Sequence, residues 1–321
     1  MTILRKTLGE KYVMKKLLAF LTAAAMLSAV LADSAAAAAS IKRVSKPQIQ
    51  VLLDGKKMSF ADAKPFSDSS KRVLVPIRFV SEALGAKVDW NSAKSTVNIS
   101  MNKKEVTLVL GQSSAKVNGV TMKFDTQAVS SHSRIFVPLR FVSEALGQTV
   151  NWDSQGSWVW IGKQEVPKIE DVSELKDLGE YKKYFSGDYG RSLISYGKDS
   201  KFKSIRIISA AQLPVKILDH TIYDIWTVSD GDNIGLQIRY KGPDLDMFFI
   251  SSKFEPKQRS GYIKKISEGF KIATYELKHP GDGLFHGDNN WRTLSLKSID
   301  YFCFRSYIGE DSVHLLFNPF K

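Results

Sequence analysis

The chain has one cysteine, Cys303, among its 321 residues. That excludes an intramolecular disulfide framework and any multi-cysteine zinc or iron–sulfur centre. Histidine is nearly as scarce, with five scattered along the chain, too few for a histidine-rich metal site. No G-x-S-x-G, P-loop or H-E-x-x-H spacing occurs, so no cofactor is expected and enzymatic activity has no motif behind it. Acidic residues are in deficit: 33 Asp and Glu face 46 Lys and Arg, net +13. No apolar run reaches the roughly 20 residues of a membrane span. What the chain does have is 43% hydrophobic and 11% aromatic residues, enough to build cores for two or three domains.

The longest apolar run, Leu17 to Ala32, follows Lys15 and Lys16 and precedes small residues up to Ala39. This is the order of an export signal. Residues 1–39 are therefore expected to be removed, with Met1 or Met14 as the start. Their loss leaves 41 basic and 31 acidic residues, net +10. The expected location is extracellular, on the wall of a Gram-positive bacterium. An anionic wall polymer or polysaccharide is the partner that charge suggests. Export separates the chain from nucleic acid, and no membrane span is expected after cleavage. The sequence shows no lipobox cysteine and no LPxTG-like sorting sequence, so attachment would be non-covalent.

An internal repeat organises the first half. The run from Val75 to Gly85, V-P-I-R-F-V-S-E-A-L-G, recurs from Val137 to Gly147 with one change, Ile77 to Leu139. The likeness continues through Val88-Asp89-Trp90 and Val150-Asn151-Trp152, and upstream through Asp54-Gly55 and Asn118-Gly119. Both of those dipeptides favour type I′ hairpins. Pro76 and Pro138 suit a first helical turn, and Gly85 and Gly147 suit a left-handed helix end. Each copy, over 46–101 and 102–163, reads as β-β-β-α-β-β with one helix against a twisted antiparallel sheet.

These residues resemble the copper amine oxidase N-terminal-like, or stalk, domain family, with Pro76, Arg78, Gly85, Trp90 and Pro138, Arg140, Gly147, Trp152 as the fold signature. The resemblance implies an exported α+β surface module. It does not imply oxidase chemistry, because the repeats hold only His132.

Arg78 with Glu82, and Arg140 with Glu144, stand four apart and suit helix-surface pairs. Trp90 and Trp152 are expected in the core. Trp158 and Trp160 alternate on one strand face, where the first copy has Thr96 and Asn98. They would either form a binding platform or pack against the C-terminal domain.

Residues 164–172 read as a linker and 173–321 as a β-rich domain with no recognised family, so the overall class is α+β. A helix is expected over 173–185, then strands near 204–209, 215–218, 222–228, 234–240, 247–250, 272–277, 293–296, 299–304 and 313–317. Cys303, between two phenylalanines, reads as a buried structural thiol. The loop carrying His279, Asp282, His286 and Asp288 is the one polar cluster with the makings of acid–base or ligand chemistry, though its composition also suits any long loop.

The leading expectation is a non-enzymatic surface protein whose repeats present a C-terminal domain of unknown ligand. A secreted hydrolase with its site in 170–321, or a structural spacer, are the alternatives. The sequence leaves oligomeric state open. N-terminal sequencing of secreted material should give a start within residues 36–41; material that still begins at Met1 or Met14 would contradict the export reading.

Overall fold

The computed structural model describes residues 42–43, 48–196, 200–231, 233–305 and 312–321; the expected export segment, 1–39, lies outside them. Strands dominate and helices are short, as the α+β expectation required.

The two repeats are tandem in sequence but interlocked in space. Strand Val73–Pro76 pairs antiparallel with Arg134–Pro138, in the register Phe136↔Pro76, Val137↔Val75, Pro138↔Leu74. Each pair beside the centre is the repeat-equivalent of the other, so a local two-fold axis passes between Val75 and Val137. Both valines are fully buried. Helix α1, Ile77–Ala83, and helix α2, Leu139–Ala145, leave this junction at once and contact each other.

Each copy completes the other's sheet. The closing hairpin of the first copy, Lys87–Asn91 with Thr96–Met101, joins the opening hairpin of the second, Ser114–Val117 with Val120–Lys123, through the strand Lys104–Val109. Reciprocally, Trp158–Ile161 of the second copy runs parallel to Gln50–Leu53 of the first. One core, including Val51, Val80, Val97, Val142, Val159 and Ile161, fills the whole body. A single copy with one seven-residue helix could not bury its apolar face, and the exchange of hairpins solves that problem. Both residues of the Asp54-Gly55 and Asn118-Gly119 turns have positive φ, as type I′ requires, and Gly85 and Gly147 close their helices at φ +82° and +88°. At Gly55 a side chain is barred twice, by φ of +79° and by the Glu165 carbonyl, which a Cβ would meet at 1.6 Å.

The C-terminal half is a sandwich. One sheet contains His220–Asp230, Asn233–Lys241, Lys271–Glu276 and Tyr262–Lys265, with Val215–Ile217 and the short strand Lys42–Arg43 on His220–Asp230. The other runs Leu175–Asp177, Ser204–Ile208, Ser312–Phe317, Tyr301–Phe304, Asp246–Ile250, Lys257–Ser260. Ile238, Tyr240 and Tyr275 of the first face Phe249, Phe302 and Phe304 of the second. The second sheet's other face buries Phe248, Cys303 and Leu315 beneath Leu178, Phe185 and Leu193. Cys303 is thus a core thiol, and burial pushes its pKa up.

Several expectations change. The helix over 173–185 is instead strand Leu175–Asp177 followed by a 3-10 helix, Leu178–Tyr184. Ser173 closes a preceding turn, Ile169–Val172, by donating to the Ile169 carbonyl at 2.6 Å, and Asp177 starts the new helix by accepting from Gly179 N–H, also at 2.6 Å. That turn occupies the end of the expected linker, and its Ile169 is buried in the sandwich core. No strand forms over 293–296, where local bonds such as Ser298 Oγ to the Ser295 carbonyl hold 3-10 turns. Lys257–Ser260 and Tyr262–Lys265 are strands that the sequence hid, because edge strands this polar lack an apolar alternation.

Burial raises the Tyr240 and Tyr301 phenols to about 12 and pushes Tyr275 up further. In the unfolded chain these groups titrate near 10. Their contribution is therefore complete below about pH 10 and is lost as pH rises toward 12. Lys57, whose pKa burial lowers, acts in the opposite sense but is one group against four tyrosines, since burial raises Tyr223 as well. The thermal midpoint should hold level to about pH 9 and fall above 10, with tyrosinate absorbance appearing late and together with unfolding. A midpoint independent of pH across that range would contradict the assignment.

Candidate functional site: twin clefts and the seam beside them

Trp90 and Trp152 are not core residues. They are 42% and 44% exposed, whereas Trp158 and Trp160 are 0% and 6% exposed. The reason lies in the sheets. Val88 and Trp90, like Val150 and Trp152, share one face of an outermost strand. A seven-residue helix, about 10 Å long, is too short to roof that whole face. The helix covers the valine, and the tryptophan beyond it becomes the wall of a cleft.

Two clefts result, and they are repeat-equivalents. One, of ≈ 390 Å³, is lined by Arg78, Phe79 and Glu82 of α1, Val88, Trp90 and Val97 of the same copy, and Arg134 and Ile135 of the other. The second, of ≈ 580 Å³, is lined by Arg140, Phe141, Glu144, Val150, Trp152 and Val159, with Arg72 and Val73 from the other copy. Each site therefore needs both copies, because each contributes an arginine at the start of the strand that crosses the two-fold junction, Arg134 within it and Arg72 just before it. Arg78 and Glu82 approach to 3.8 Å, as their spacing suggested.

The clefts differ in charge. In the smaller, Arg134 is engaged by Asp62, whose pKa that hydrogen bond lowers. The larger adds Lys71 and Lys123 to its lining, and Arg72 pairs with Asp125 at 2.5 Å. The whole chain is polarised in the same sense. Residues 48–163 hold 15 basic and 9 acidic side chains, net +6, while residues 164–321 hold 23 and 22, net +1.

Trp158 and Trp160 sit in the seam between the halves, which answers why the second copy departs from Thr96 and Asn98. Val159 and Ile161 enter the repeat core, while the tryptophans on the opposite face pack with Leu52, Tyr223 and Phe270. In the first copy, Asn98 at the matching place is exposed. Trp158 is fully buried and Trp160 reaches only the wall of the ≈ 370 Å³ cleft at the seam, so the pair packs against the C-terminal half rather than standing as an open surface. At the centre of the seam stands Arg239, 1% exposed. Its Nη1 donates to Asp153 of the repeat body, and its Nε donates to Asp224 at 3.0 Å. The guanidinium lies 5.1, 5.3 and 5.0 Å from the rings of Trp158, Tyr223 and Phe270. A β-bulge between Ile222 and Asp224 sets both Tyr223 and Asp224 against it. A Cβ on Gly156 would lie 2.1 Å from Nη2, so a side chain there would displace the guanidinium.

The polar loop forms a clamp. Asp282, in the helix Gly281–His286, accepts from Arg259 Nη1 and Nη2 at 2.9 and 2.7 Å, and both residues are buried. Asp288 accepts from Lys257 at 2.6 Å, which lowers its pKa. His279 Nδ1 accepts from Gly281 N–H at 3.1 Å; the side chain of His286 lies outside the described residues. Both carboxylates thus serve ion pairs that pin this loop to the sheet edge.

Residues 52–161 match the family described as copper amine oxidase N-terminal domain. The match runs through both copies as one unit, in keeping with their shared sheets. No curated protein matches the chain. The copper in that family description finds no donor set in this segment. Its one histidine, His132, is exposed and hydrogen-bonded to Ser131 Oγ at 2.9 Å. Among the described residues no group of three His, Cys, Asp or Glu could hold a metal.

Replacing Arg239 with Met should cost about 3–5 kcal/mol in denaturant unfolding, because two carboxylates lose their cation in a buried seam. A loss below about 1 kcal/mol would show the seam to be held by its rings alone.

Proposed function

We propose that this is an exported, non-enzymatic surface protein whose repeat body attaches to an anionic polymer of the cell wall and carries the C-terminal sandwich as its outward-facing part. The observation that carries this reading is the uneven charge: the repeat half holds net +6 and the other half +1. A charge meant only for solubility has no reason to concentrate in one half. The same half carries the larger cleft, in which Arg140 stands beside the exposed Trp152, a combination that suits a polymer with anionic groups and apolar ring faces. The buried Arg239 seam supports a rigid link, so that attachment of one half fixes the position of the other. The Lys257 and Arg259 clamp accounts for the loop that otherwise suggested hydrolase chemistry.

The test is retention of the secreted chain on purified wall. Retention should be strong at low salt and lost by about 1 M, where the screening length contracts to about 3 Å. Retention that persists in molar salt would overturn the electrostatic reading, and no retention at any salt would overturn attachment itself. Copper added to the purified chain should give neither amine oxidation nor a one-to-one tight isotherm; a tight isotherm lost on replacing one histidine would contradict the donor argument.

A further inference from the structure

The two clefts are repeat-equivalents, so any difference between them marks what the second has acquired. Trp90 borders its own cleft among those described. Trp152 borders three: the ≈ 580 Å³ cleft of its own copy, one of ≈ 680 Å³ beside the opening hairpin, and one of ≈ 370 Å³ at the seam. Its half-exposed indole is therefore the meeting point of a branched groove that reaches from the repeat body onto the C-terminal half. Basic side chains mark every arm: Lys71, Arg72, Lys123 and Arg140 in the first, Lys64 in the second, Lys241 in the third. Carboxylates stand among them, Asp125 and Glu144 in the first arm and Asp153 and Glu268 in the third.

We propose that this groove, centred on Trp152, is the binding site for an acidic polysaccharide chain, with the equivalent cleft at Trp90 not used. The proposal rests on the polymer-attachment reading above and names its site and ligand class. Each component has a chemical counterpart in such a chain. A flat indole face accepts the apolar C–H face of a sugar ring, and guanidinium groups bind carboxylate or phosphate substituents in a planar fork. Carboxylates accept hydrogen bonds from sugar hydroxyls. A glycan's hydroxyls can use those carboxylates as acceptors, whereas a single-stranded nucleic acid brings a phosphate at every residue and few donors to answer them. Three arms at one ring suit an extended chain better than a small molecule. The smaller cleft lacks both lysines, while Arg134 there and Arg72 in the larger cleft are each paired with an aspartate.

The experiment compares equivalent substitutions in the two clefts of the full secreted chain. Trp152→Ala, Trp152→Phe and Arg140→Gln are set against Trp90→Ala and Arg78→Gln, with circular dichroism to show that each variant is folded. The probes are polygalacturonate, neutral dextran and a short single-stranded oligodeoxythymidine. Trp152→Ala and Arg140→Gln should each weaken polygalacturonate binding about tenfold or more, while Trp152→Phe, Trp90→Ala and Arg78→Gln stay within about threefold. Dextran and the oligonucleotide should bind at least about tenfold more weakly than polygalacturonate. Equal loss from both clefts, or salt-sensitive binding that no substitution alters, would overturn the site while leaving polymer attachment standing. Tighter binding of the oligonucleotide, or equal binding of dextran, would overturn the ligand class. Failure of every wall and polymer preparation to bind would overturn both readings.

Discussion

One buried cation holds the two halves of this protein in register. Taking a guanidinium out of water costs several kcal/mol unless its charge and its donors are answered. Arg239 is answered from both sides, by Asp224 of its own sheet and by Asp153 of the repeat body, inside a cage of Trp158, Tyr223 and Phe270. Neither half could keep Arg239 buried alone, since separation would expose the rings and leave each carboxylate without its partner. The geometry then constrains its surroundings. Gly156 is fixed by the closeness of Nη2, the bulge at Tyr223 is fixed by the need for two side chains opposite one, and the tryptophans are fixed by the face they cover. The short strand Lys42–Arg43, paired with His220–Asp230, ties the segment before the repeats to the same sheet.

The repeat body obeys a second constraint, that a unit of this size cannot bury one apolar face with a seven-residue helix. The answer is reciprocal: the hairpin that opens one copy completes the sheet that closes the other, and the two-fold junction at Val75 and Val137 lies at the centre of one core. Function follows from what this leaves uncovered. The helices are too short to roof the outermost strands, so equivalent clefts open beside Trp90 and Trp152, each completed by an arginine from the opposite copy. Both copies touch the C-terminal half, the first through Leu52 and Lys57, but only at Trp152 does the cleft continue past its tryptophan. Duplication made two similar sites, and docking made them unlike.

Residue by residue, the sequence already determined a good deal. The repeat, its hairpin glycines and its helix ends were legible because φ and periodicity are local properties, which Asp54-Gly55 and Gly147 express without help from distant residues. The longer strands of the sandwich were legible for the same reason, and so was Cys303 between two phenylalanines as a core thiol. Even the seam left a trace, since Trp158 and Trp160 replace Thr96 and Asn98 between otherwise matching copies. The sequence could not say whether those rings met solvent or a neighbour. Only the tertiary structure decided that: it set Trp158 and Trp160 against the C-terminal half and moved Trp90 and Trp152 from the expected core to cleft walls, because burial depends on which strand lies outermost and which face another half covers. It likewise set Arg259 and Lys257 beside Asp282 and Asp288, from strands more than twenty residues away. Local sequence fixes conformation through short-range sterics, whereas a cleft, a seam or an ion pair needs partners that only the folded chain brings together.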